Sequence, residues 1–372
     1  MAKKLFVAAI EKNCGKTTTC LALMHLARKR YERVGFLKPF GGQSVTFRGQ
    51  LVDKDVALMA EVFDLAEDPE LMSPVVLTPS TTRDVIDGRI TPEELQQKIL
   101  GAAAELEQRC DLVIVEGSGH PGVGSIMGIS NARIARILQT PVLLVTGGGL
   151  GNVVDRLALI QALFEKEEVD FRAVLVNKLI GEKSGKSLEY LRRALGAEPF
   201  QVLRGFDYHP VLANPTLQRI ATLLDLPVQG DRSEVQRIVH RVLVGAASTQ
   251  RITELITEPS LIIVTSSRNE LLVTLAHLYH LPEYRPFIVG VVISGASPIS
   301  PITLQILEKS EIPFIRAEQW VSAELYQMIS RDVSKIVAED REKLDLIRQL
   351  AEEHLNFGTM EEIFFSDRPL TW

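Results

Sequence analysis

Cysteine is scarce in this sequence. Only Cys14, Cys20 and Cys110 occur among its 372 residues, and no two of them form a CxxC pair. Three cysteines cannot build a complete disulfide framework, and without a CxxC pair a cysteine-rich zinc site is not expected. We therefore predict a protein of a reducing compartment, the cytoplasm.

Long apolar runs and an excess of positive charge are missing as well. No run approaches the ~18 apolar residues that span a bilayer. The short apolar run Leu5–Ile10 is followed at once by Glu11 and Lys12, which is unlike a signal-peptide core. The 41 Lys and Arg residues are outnumbered by 47 Asp and Glu residues, so the formal net charge is −6. Such a chain has no global attraction for nucleic acid or anionic lipid, and we predict neither partner.

The length and composition that are present indicate a folded protein of two domains. Hydrophobic residues make up 46% and charged residues 24% of the sequence, which is ordinary globular composition. At about 150 residues per domain, the length predicts two domains. A stretch from about residue 204 to 230 is rich in proline and glycine. We therefore expect a first domain over 1–222, a second over 223–350, and a weakly patterned C-terminal tail over 351–372.

Buried strands alternate with helical patterns, which predicts an α/β fold. Continuous apolar runs bounded by turns are typical of parallel strands that are covered on both faces. The expected strands of the first domain are Leu5–Ile10, Val34–Leu37, Leu112–Val115, Val142–Val145 and Ala173–Val176. The expected helices between them include Thr18–Arg30, Pro92–Arg109 and Asn152–Glu165. The second, smaller α/β domain is expected to contain a helical stretch over Ser233–Leu255, strands at Leu261–Val264, Ile288–Ile293 and Pro313–Ile315, and a helix over Asp340–Leu355.

The strongest motif follows the first strand and reads Ile-Glu-Lys-Asn-Cys-Gly-Lys-Thr over residues 10–17. A glycine-rich loop between a strand and a helix is the context of a Walker A phosphate loop, so we expect a P-loop NTPase-type sheet that binds ATP and Mg²⁺. In that interpretation backbone N–H groups bind phosphate oxygens, Lys16 neutralises the β- and γ-phosphates, and the Thr17 hydroxyl ligates Mg²⁺. The nucleotide-binding residues are then Asn13, Cys14, Gly15, Lys16, Thr17 and Thr18. Because Ile10 replaces the usual first glycine, a vestigial loop is the alternative.

Two acids and a second lysine are candidates for the rest of the site. Glu116 follows the buried strand Leu112–Val115 and so projects from a strand's carboxyl end, where open α/β sheets bind ligands. Mg²⁺ requires oxygen ligands, and Thr17, Asp55 and Glu116 are the predicted set. Lys38 ends another strand and can face a γ-phosphate or an anionic substrate. The alternatives are a solvated helix-start acid for Asp55 and a surface charge for Lys38.

These motifs together resemble dethiobiotin synthetase. The resemblance rests on the GKT loop, on Lys38-Pro39, on Asp55 before Ala57, and on Glu116-Gly117-Ser118-Gly119, and it covers about residues 1–225. It implies that Lys16 and Lys38 act on the transferring phosphoryl group and that Asp55 and Glu116 hold Mg²⁺. It also implies that Asn177 recognises adenine and that the chain forms a homodimer or a higher homo-oligomer.

A second resemblance concerns the whole chain. It is similar to the N-terminal region of long phosphotransacetylases and their stand-alone relatives, in which a DRTGG domain follows the P-loop domain. Thr265–Glu270 and Ser294–Pro298 stand where that domain keeps its conserved turns. No acetyl-transfer domain is recognisable, so acetyl transfer is not expected.

Three functions remain open at this point. The first is a regulatory or sensory protein that binds Mg-ATP and whose second domain binds a small molecule or a partner. The second is an ATP-dependent ligase of the dethiobiotin synthetase or cobyrinic acid synthase type. The third is a scaffold whose phosphate loop is vestigial, with Ile10 as its only support.

Overall fold

The computed structural model describes residues 2–181, 184–332 and 334–366. Contacts among these residues divide the chain into two compact units. The first unit contains the residues up to Tyr208 together with those from Leu344 onwards, and the second contains His209–Lys343. Each unit is an α/β domain with its own sheet, as the sequence predicts.

The first unit alternates strands and helices along the chain. Its strands are β1 (Lys3–Ala9), β2 (Val34–Leu37), β3 (Ser44–Phe47), β4 (Gln50–Asp53), β5 (Leu112–Glu116), β6 (Val142–Thr146), β7 (Phe171–Val176) and β8 (Gln201–Arg204). Its helices up to that point are α1 (Lys16–Ala27), α2 (Lys54–Phe63), α3 (Pro69–Met72), α4 (Thr81–Ile86), α5 (Pro92–Arg109), α6 (Asn131–Ile137), α7 (Leu150–Lys166) and α8 (Ser184–Ala194).

The main sheet of the first unit is parallel, with the strand order β2-β5-β1-β6-β7-β8. Strands β5 and β6 are buried along their whole length, which explains their uninterrupted apolar sequences. After β1 the chain builds one side of the sheet and then crosses to β6 on the other side. The carboxyl end of β1 is therefore the topological switch point, where such sheets bind ligands. Strands β3 and β4 form a separate antiparallel hairpin.

The second unit has a mixed sheet. Its strands are β9 (Val228–Gln229), β10 (Arg241–Val244), β11 (Ser260–Thr265), β12 (Ile288–Ser294) and β13 (Phe314–Ala317). Its helices are α9 (Pro210–Ala213), α10 (Leu217–Leu224), α11 (Thr249–Leu255), α12 (Asn269–His280), α13 (Pro301–Ser310) and α14 (Ser322–Arg331). The strand order is β10-β11-β12-β13-β9, and the edge strand β9 runs antiparallel to the others.

The division between the units comes earlier than the sequence predicts. The expected boundary lies at 222/223, whereas contacts place it between Tyr208 and His209. Helix α10 explains the difference, because its apolar residues Leu217 and Ile220 lie in one buried cluster with Leu261 of β11. The prolines before α10 therefore lie inside the second unit rather than between the units.

The strand β10 also departs from the sequence prediction. A helical stretch was expected over Ser233–Leu255, but the structure has a 3₁₀ turn, then β10, and then the short helix α11 in this range. The apolar spacing of this stretch is compatible with both periods. The pairing of β10 with β11 favours the strand conformation over the helix.

The C-terminal part of the chain contains one helix that the sequence predicts and one that it does not. Helix α15 covers Arg341–His354, within the expected helix Asp340–Leu355, whereas helix α16 covers Phe357–Phe365, which belongs to the weakly patterned tail expected over 351–372. Four residues of α16 are buried in the first unit: Phe357, Met360, Ile363 and Phe364. Ion pairing adds to this packing, since Arg30, in the turn that follows α1, lies 2.6 Å from Glu361. The end of the chain up to residue 366 is thus part of the first unit's core. Across the described ranges, none of the helices combines the length and apolar character needed to cross a membrane.

Replacing Phe364 by alanine is expected to lower the free energy of unfolding of the first unit by about 3–5 kcal/mol, because it removes a buried aromatic ring. Urea denaturation followed by circular dichroism measures the change. The control is Ile86→Ala, whose side chain is 64% exposed and whose loss is expected to cost under ~0.5 kcal/mol. Equal effects of the two substitutions would contradict the placement of α16 in the core.

Candidate nucleotide and magnesium site

The predicted site residues meet at the carboxyl edge of the first unit's sheet. The loop of residues 10–15 joins β1 to α1, Lys38 directly follows β2, Glu116 ends β5, and Asn177 directly follows β7. Since the strands are parallel and adjacent, their carboxyl ends lie on one side of the sheet. The residues predicted from separate motifs therefore share one location.

The phosphate loop presents an open helix start. Gly15 is the N-cap residue of α1 and has a φ of 89°, a left-handed conformation that favours glycine. It offers no side chain to cap the helix, and the first turn of α1 carries no acidic residue. The N–H groups of that turn and the helix dipole are consequently available to an anion. This is the arrangement that a bound phosphate requires.

Lys38 lies at the centre of a buried charged cluster. Its Nζ atom is 2.5 Å from Oδ2 of Asp55, 3.1 Å from Oε1 of Glu116 and 3.2 Å from the carbonyl oxygen of Gly117. Burial by itself lowers the pKa of the Lys38 ammonium, but Glu116 and Asp55 outweigh it and raise that pKa above its usual value. Lys38 is 3% exposed and Asp55 is 8% exposed, so neither is the solvated group that the alternative interpretations describe.

Glu116 joins this cluster to the phosphate loop. The Thr17 hydroxyl donates to Oε1 of Glu116 at 3.0 Å, the same oxygen that Lys38 contacts. The second oxygen, Oε2, is buried and has no hydrogen-bond partner. Burial, and then the nearby Asp55, raise the pKa of Glu116, while Lys38 and Lys16 lower it. A buried carboxylate oxygen without a partner, next to a hydroxyl, is well suited to a cation.

The donor set fits Mg²⁺ held together with a nucleotide. Carboxylate and hydroxyl oxygens are the ligands that Mg²⁺ prefers, and Thr17, Asp55 and Glu116 supply them. Within the described ranges, no group of three or more His, Cys, Asp or Glu side chains is arranged to hold a metal ion by itself. Phosphate oxygens would therefore complete the coordination. When bound, the ion would neutralise charge on the β- and γ-phosphates.

Asp53 is a member of the cluster that sequence reasoning missed. It is 3% exposed and caps α2 by accepting a hydrogen bond from the backbone N–H of Asp55 at 3.0 Å. Burial raises the pKa of Asp53, Lys38 opposes that rise, and Asp55 adds to it. The signal in the sequence was the Asp-x-Asp spacing at a helix start, which is typical of a cap. Asp53 thus fixes the position of Asp55.

Asn177 lies beneath the phosphate loop and is 2% exposed. Its Nδ2 atom donates to the carbonyl oxygen of Cys14 at 3.1 Å and to the Thr19 hydroxyl at 3.2 Å. Its Oδ1 atom accepts from the backbone N–H of Phe206 at 2.9 Å. Both amide donors are therefore used inside the protein. Adenine recognition by Asn177 stays a prediction, whereas the contacts describe a residue that braces the loop.

A second buried asparagine, Asn131, braces the loop after Glu116. Its side chain accepts from the backbone N–H of Ser118 at 2.8 Å and donates to the carbonyl oxygens of Ser118 and His120. Gly117 must stay small here, because a Cβ atom on it would lie 2.7 Å from Oδ1 of Asn131. The sequence carries no motif that marks Asn131, which lies 13 residues from its partner Ser118.

The remaining predicted nucleotide-binding residues lie in or next to the phosphate loop. Asn13 is exposed and has a φ of 62°. Cys14 is 3% exposed, and burial raises the pKa of its thiol, so the structure gives it no reactive thiolate. Thr18 lies in the first turn of α1 and is partly exposed. Their contact with a nucleotide stays a prediction.

Lys16 has an unusual acidity for a lysine. Burial, and then the positive charge of Lys38, lower its pKa to about 8. A bound polyphosphate favours the charged ammonium and raises this pKa again.

We therefore expect the affinity for Mg-ATP to fall as the pH rises from about 7 to about 9, because the free protein then loses the Lys16 proton that the complex keeps. At about pH 8.5, the binding of Mg-ATP should be accompanied by the uptake of a fraction of a proton. Calorimetry in buffers of different ionisation enthalpy measures that uptake. A pH-independent affinity over this range would contradict it.

Two family models match the chain. One, described as an AAA domain, matches residues 3–216, and the other, described as a DRTGG domain, matches residues 219–331. The chain belongs to the AAA domain family. An AAA domain followed by a DRTGG domain confirms the architecture that the sequence motifs suggested.

Curated proteins that are similar to the chain agree with both resemblances. The chain is 31% identical over 177 residues to the ATP-dependent dethiobiotin synthetase BioD of Frankia casuarinae, covering 46% of this chain and 70% of that protein. It is 22% identical over 314 residues to a phosphate acetyltransferase of Synechocystis sp., covering 83% of this chain and 44% of that enzyme. It is 29% identical over 205 residues to a cobyric acid synthase of Jannaschia sp., covering 50% of this chain and 42% of that enzyme. The chain thus spans less than half the length of the latter two relatives.

Proposed function

We propose that the first unit binds Mg-ATP at the carboxyl edge of its sheet and that the bound nucleotide serves a regulatory or sensory role. The observation that supports binding is the convergence of Thr17, Lys38, Asp55 and Glu116 at the open start of α1. Lys16 supplies a further positive charge in the first turn of that helix. Together these groups match the requirements of a triphosphate with its magnesium ion.

The regulatory part of the proposal is supported by the second unit. The DRTGG match over that unit adds a domain that dethiobiotin synthesis does not need.

A small molecule is the proposed ligand of the second unit. Its strands β11, β12 and β13 are parallel, and the segments after the first two are rich in hydroxyls and small residues. Ligands of open α/β sheets bind at such carboxyl edges. A homodimer or a higher homo-oligomer and a cytoplasmic location are also part of this proposal.

The second candidate function is an ATP-dependent ligase of the dethiobiotin synthetase type. It is favoured by the same cluster and by the relative of Frankia casuarinae. The cysteines of this chain do not favour glutamine hydrolysis, the step for which an amidating synthetase of the cobyrinic acid synthase type would need a reactive cysteine. Cys14, Cys20 and Cys110 are all buried, and burial raises the pKa of each thiol.

Phosphate release under saturating Mg-ATP separates the two functions. A regulator should turn over far below the ~1 s⁻¹ that marks slow ordinary enzymes. It should also not respond to a diamino carboxylic acid with bicarbonate. Rapid release that depends on those additions would support the ligase and contradict the regulatory role.

A further inference from the structure

The side chain of Lys38 occupies the space between the two acids that are assigned to Mg²⁺. Its ammonium group lies 2.5 Å from Asp55 and 3.1 Å from Glu116, and their side chains are 12% and 0% exposed. A buried carboxylate is costly unless a cation or several hydrogen bonds compensate it. Lys38 supplies a positive charge that compensates these two acids.

The hydrogen bonds of this ammonium leave one carboxylate oxygen of the two acids without a donor. A lysine has three donors, and those of Lys38 face Asp55, Glu116 and the carbonyl oxygen of Gly117. Oε2 of Glu116 remains buried without a hydrogen-bond partner. Lys38 therefore balances the charge of the acids but does not satisfy all their oxygens. A cation with more coordination positions can satisfy them better.

The location of Lys38 explains how its ammonium group can move away from Asp55 and Glu116. It directly follows β2, and the chain then passes through Pro39, Phe40, Gly41 and Gly42 before the hairpin of β3 and β4. The four-carbon stem of a lysine allows its ammonium to move while the backbone stays in place. The γ-phosphate of a nucleotide at the start of α1 would offer it an alternative negative charge.

We propose that Lys38 is a built-in counterion, which holds the cation position between Asp55 and Glu116 in the nucleotide-free protein and gives it up when Mg²⁺ and nucleotide bind together. The inference rests on the proposed Mg-ATP site and specifies how that site is controlled. In this arrangement, Lys38 keeps the affinity of the free protein for divalent metal low. Metal and nucleotide then bind as one coupled event.

The test measures metal binding without nucleotide. Mn²⁺, a paramagnetic substitute for Mg²⁺, is titrated into the full chain, and the free ion is counted by electron paramagnetic resonance. Lys38→Met removes the charge and keeps an unbranched side chain that is one atom shorter, so it is expected to bind Mn²⁺ roughly tenfold or more tightly than the wild type. Lys16→Met is the matched control, because it removes a nearby charge that does not lie between the acids. It should show no comparable gain.

Lys38→Gln tests the same point with a side chain that can still donate a hydrogen bond to Asp55. A gain of about tenfold in Mn²⁺ affinity in either Lys38 variant, but not in Lys16→Met, supports the proposal. A Lys38 variant that folds only when Mn²⁺ is added also supports it. Unchanged Mn²⁺ affinity in the Lys38 variants overturns it, and so do variants that stay unfolded with Mn²⁺. Failure of the proposed function is seen separately, as absence of Mn-ATP binding by the wild type.

Discussion

Lys16→Ala is expected to weaken Mg-ATP binding by about 30- to 1000-fold, which corresponds to about 2–4 kcal/mol. Lys16 begins α1 directly after the left-handed Gly15, so its charge is placed at the end of the helix where a phosphate would bind. Its pKa of about 8 shows that burial and Lys38 already act against that charge in the free protein. A bound polyphosphate offsets the unfavourable effect of burial and of Lys38 on the Lys16 charge, and it accepts a charge-assisted hydrogen bond from Lys16.

The matched control for this substitution is Lys12→Ala. Lys12 belongs to the same loop but is exposed, and it precedes the glycine that turns the chain into the helix. Its loss should change the Mg-ATP affinity by less than about threefold, since exposed charges contribute little. Calorimetric titration measures both variants. Equal losses in both would indicate general electrostatic attraction rather than a phosphate loop.

Asn177→Ala is expected to lower the free energy of unfolding of the first unit by roughly 2–4 kcal/mol and to weaken Mg-ATP binding together with it. The substitution removes hydrogen bonds to Cys14, Thr19 and Phe206 and leaves the buried N–H of Phe206 without its acceptor. Gly205 shows how closely this amide is enclosed, because a Cβ atom there would lie 2.0 Å from Oδ1 of Asn177.

Urea denaturation and amide hydrogen exchange measure the stability effect, and the exchange at Phe206 should become faster. The control is Asn152→Ala, which removes an exposed asparagine whose side chain accepts from Arg156. Binding of inorganic triphosphate separates bracing from adenine recognition. If Asn177→Ala weakens ATP but leaves stability and triphosphate binding unchanged, the residue recognises adenine, and the bracing role is wrong.

The convergence of the candidate site residues could be predicted from the sequence, because it depends on strand ends. Lys38 and Glu116 each end an apolar run, and parallel strands bring such ends to one edge. The phosphate loop is a local motif, so its glycine, its lysine and its helix start can be identified without tertiary information. What the motifs cannot show is the ion pairing among Lys38, Asp55 and Glu116, which appears only when three elements meet.

The features that were missed depend on long-range contacts. Asn177 contacts Cys14 across 163 residues of sequence, and nothing in its own segment indicates that partner. The spacing of apolar residues in α16 has no interpretation until Phe357 and Phe364 are seen to be buried in the first unit. Strand β10 is four residues long, and its pairing with β11 overrides an apolar spacing that also suits a helix.

Calorimetric titration of Mg-ATP into the wild-type chain is the most direct test of nucleotide binding by the first unit at the residues around Lys16 and Glu116. We expect saturable binding of one nucleotide per chain that requires Mg²⁺ and is largely lost in Lys16→Ala. Absence of binding at millimolar nucleotide, or binding that is indifferent to both Mg²⁺ and Lys16, would contradict it.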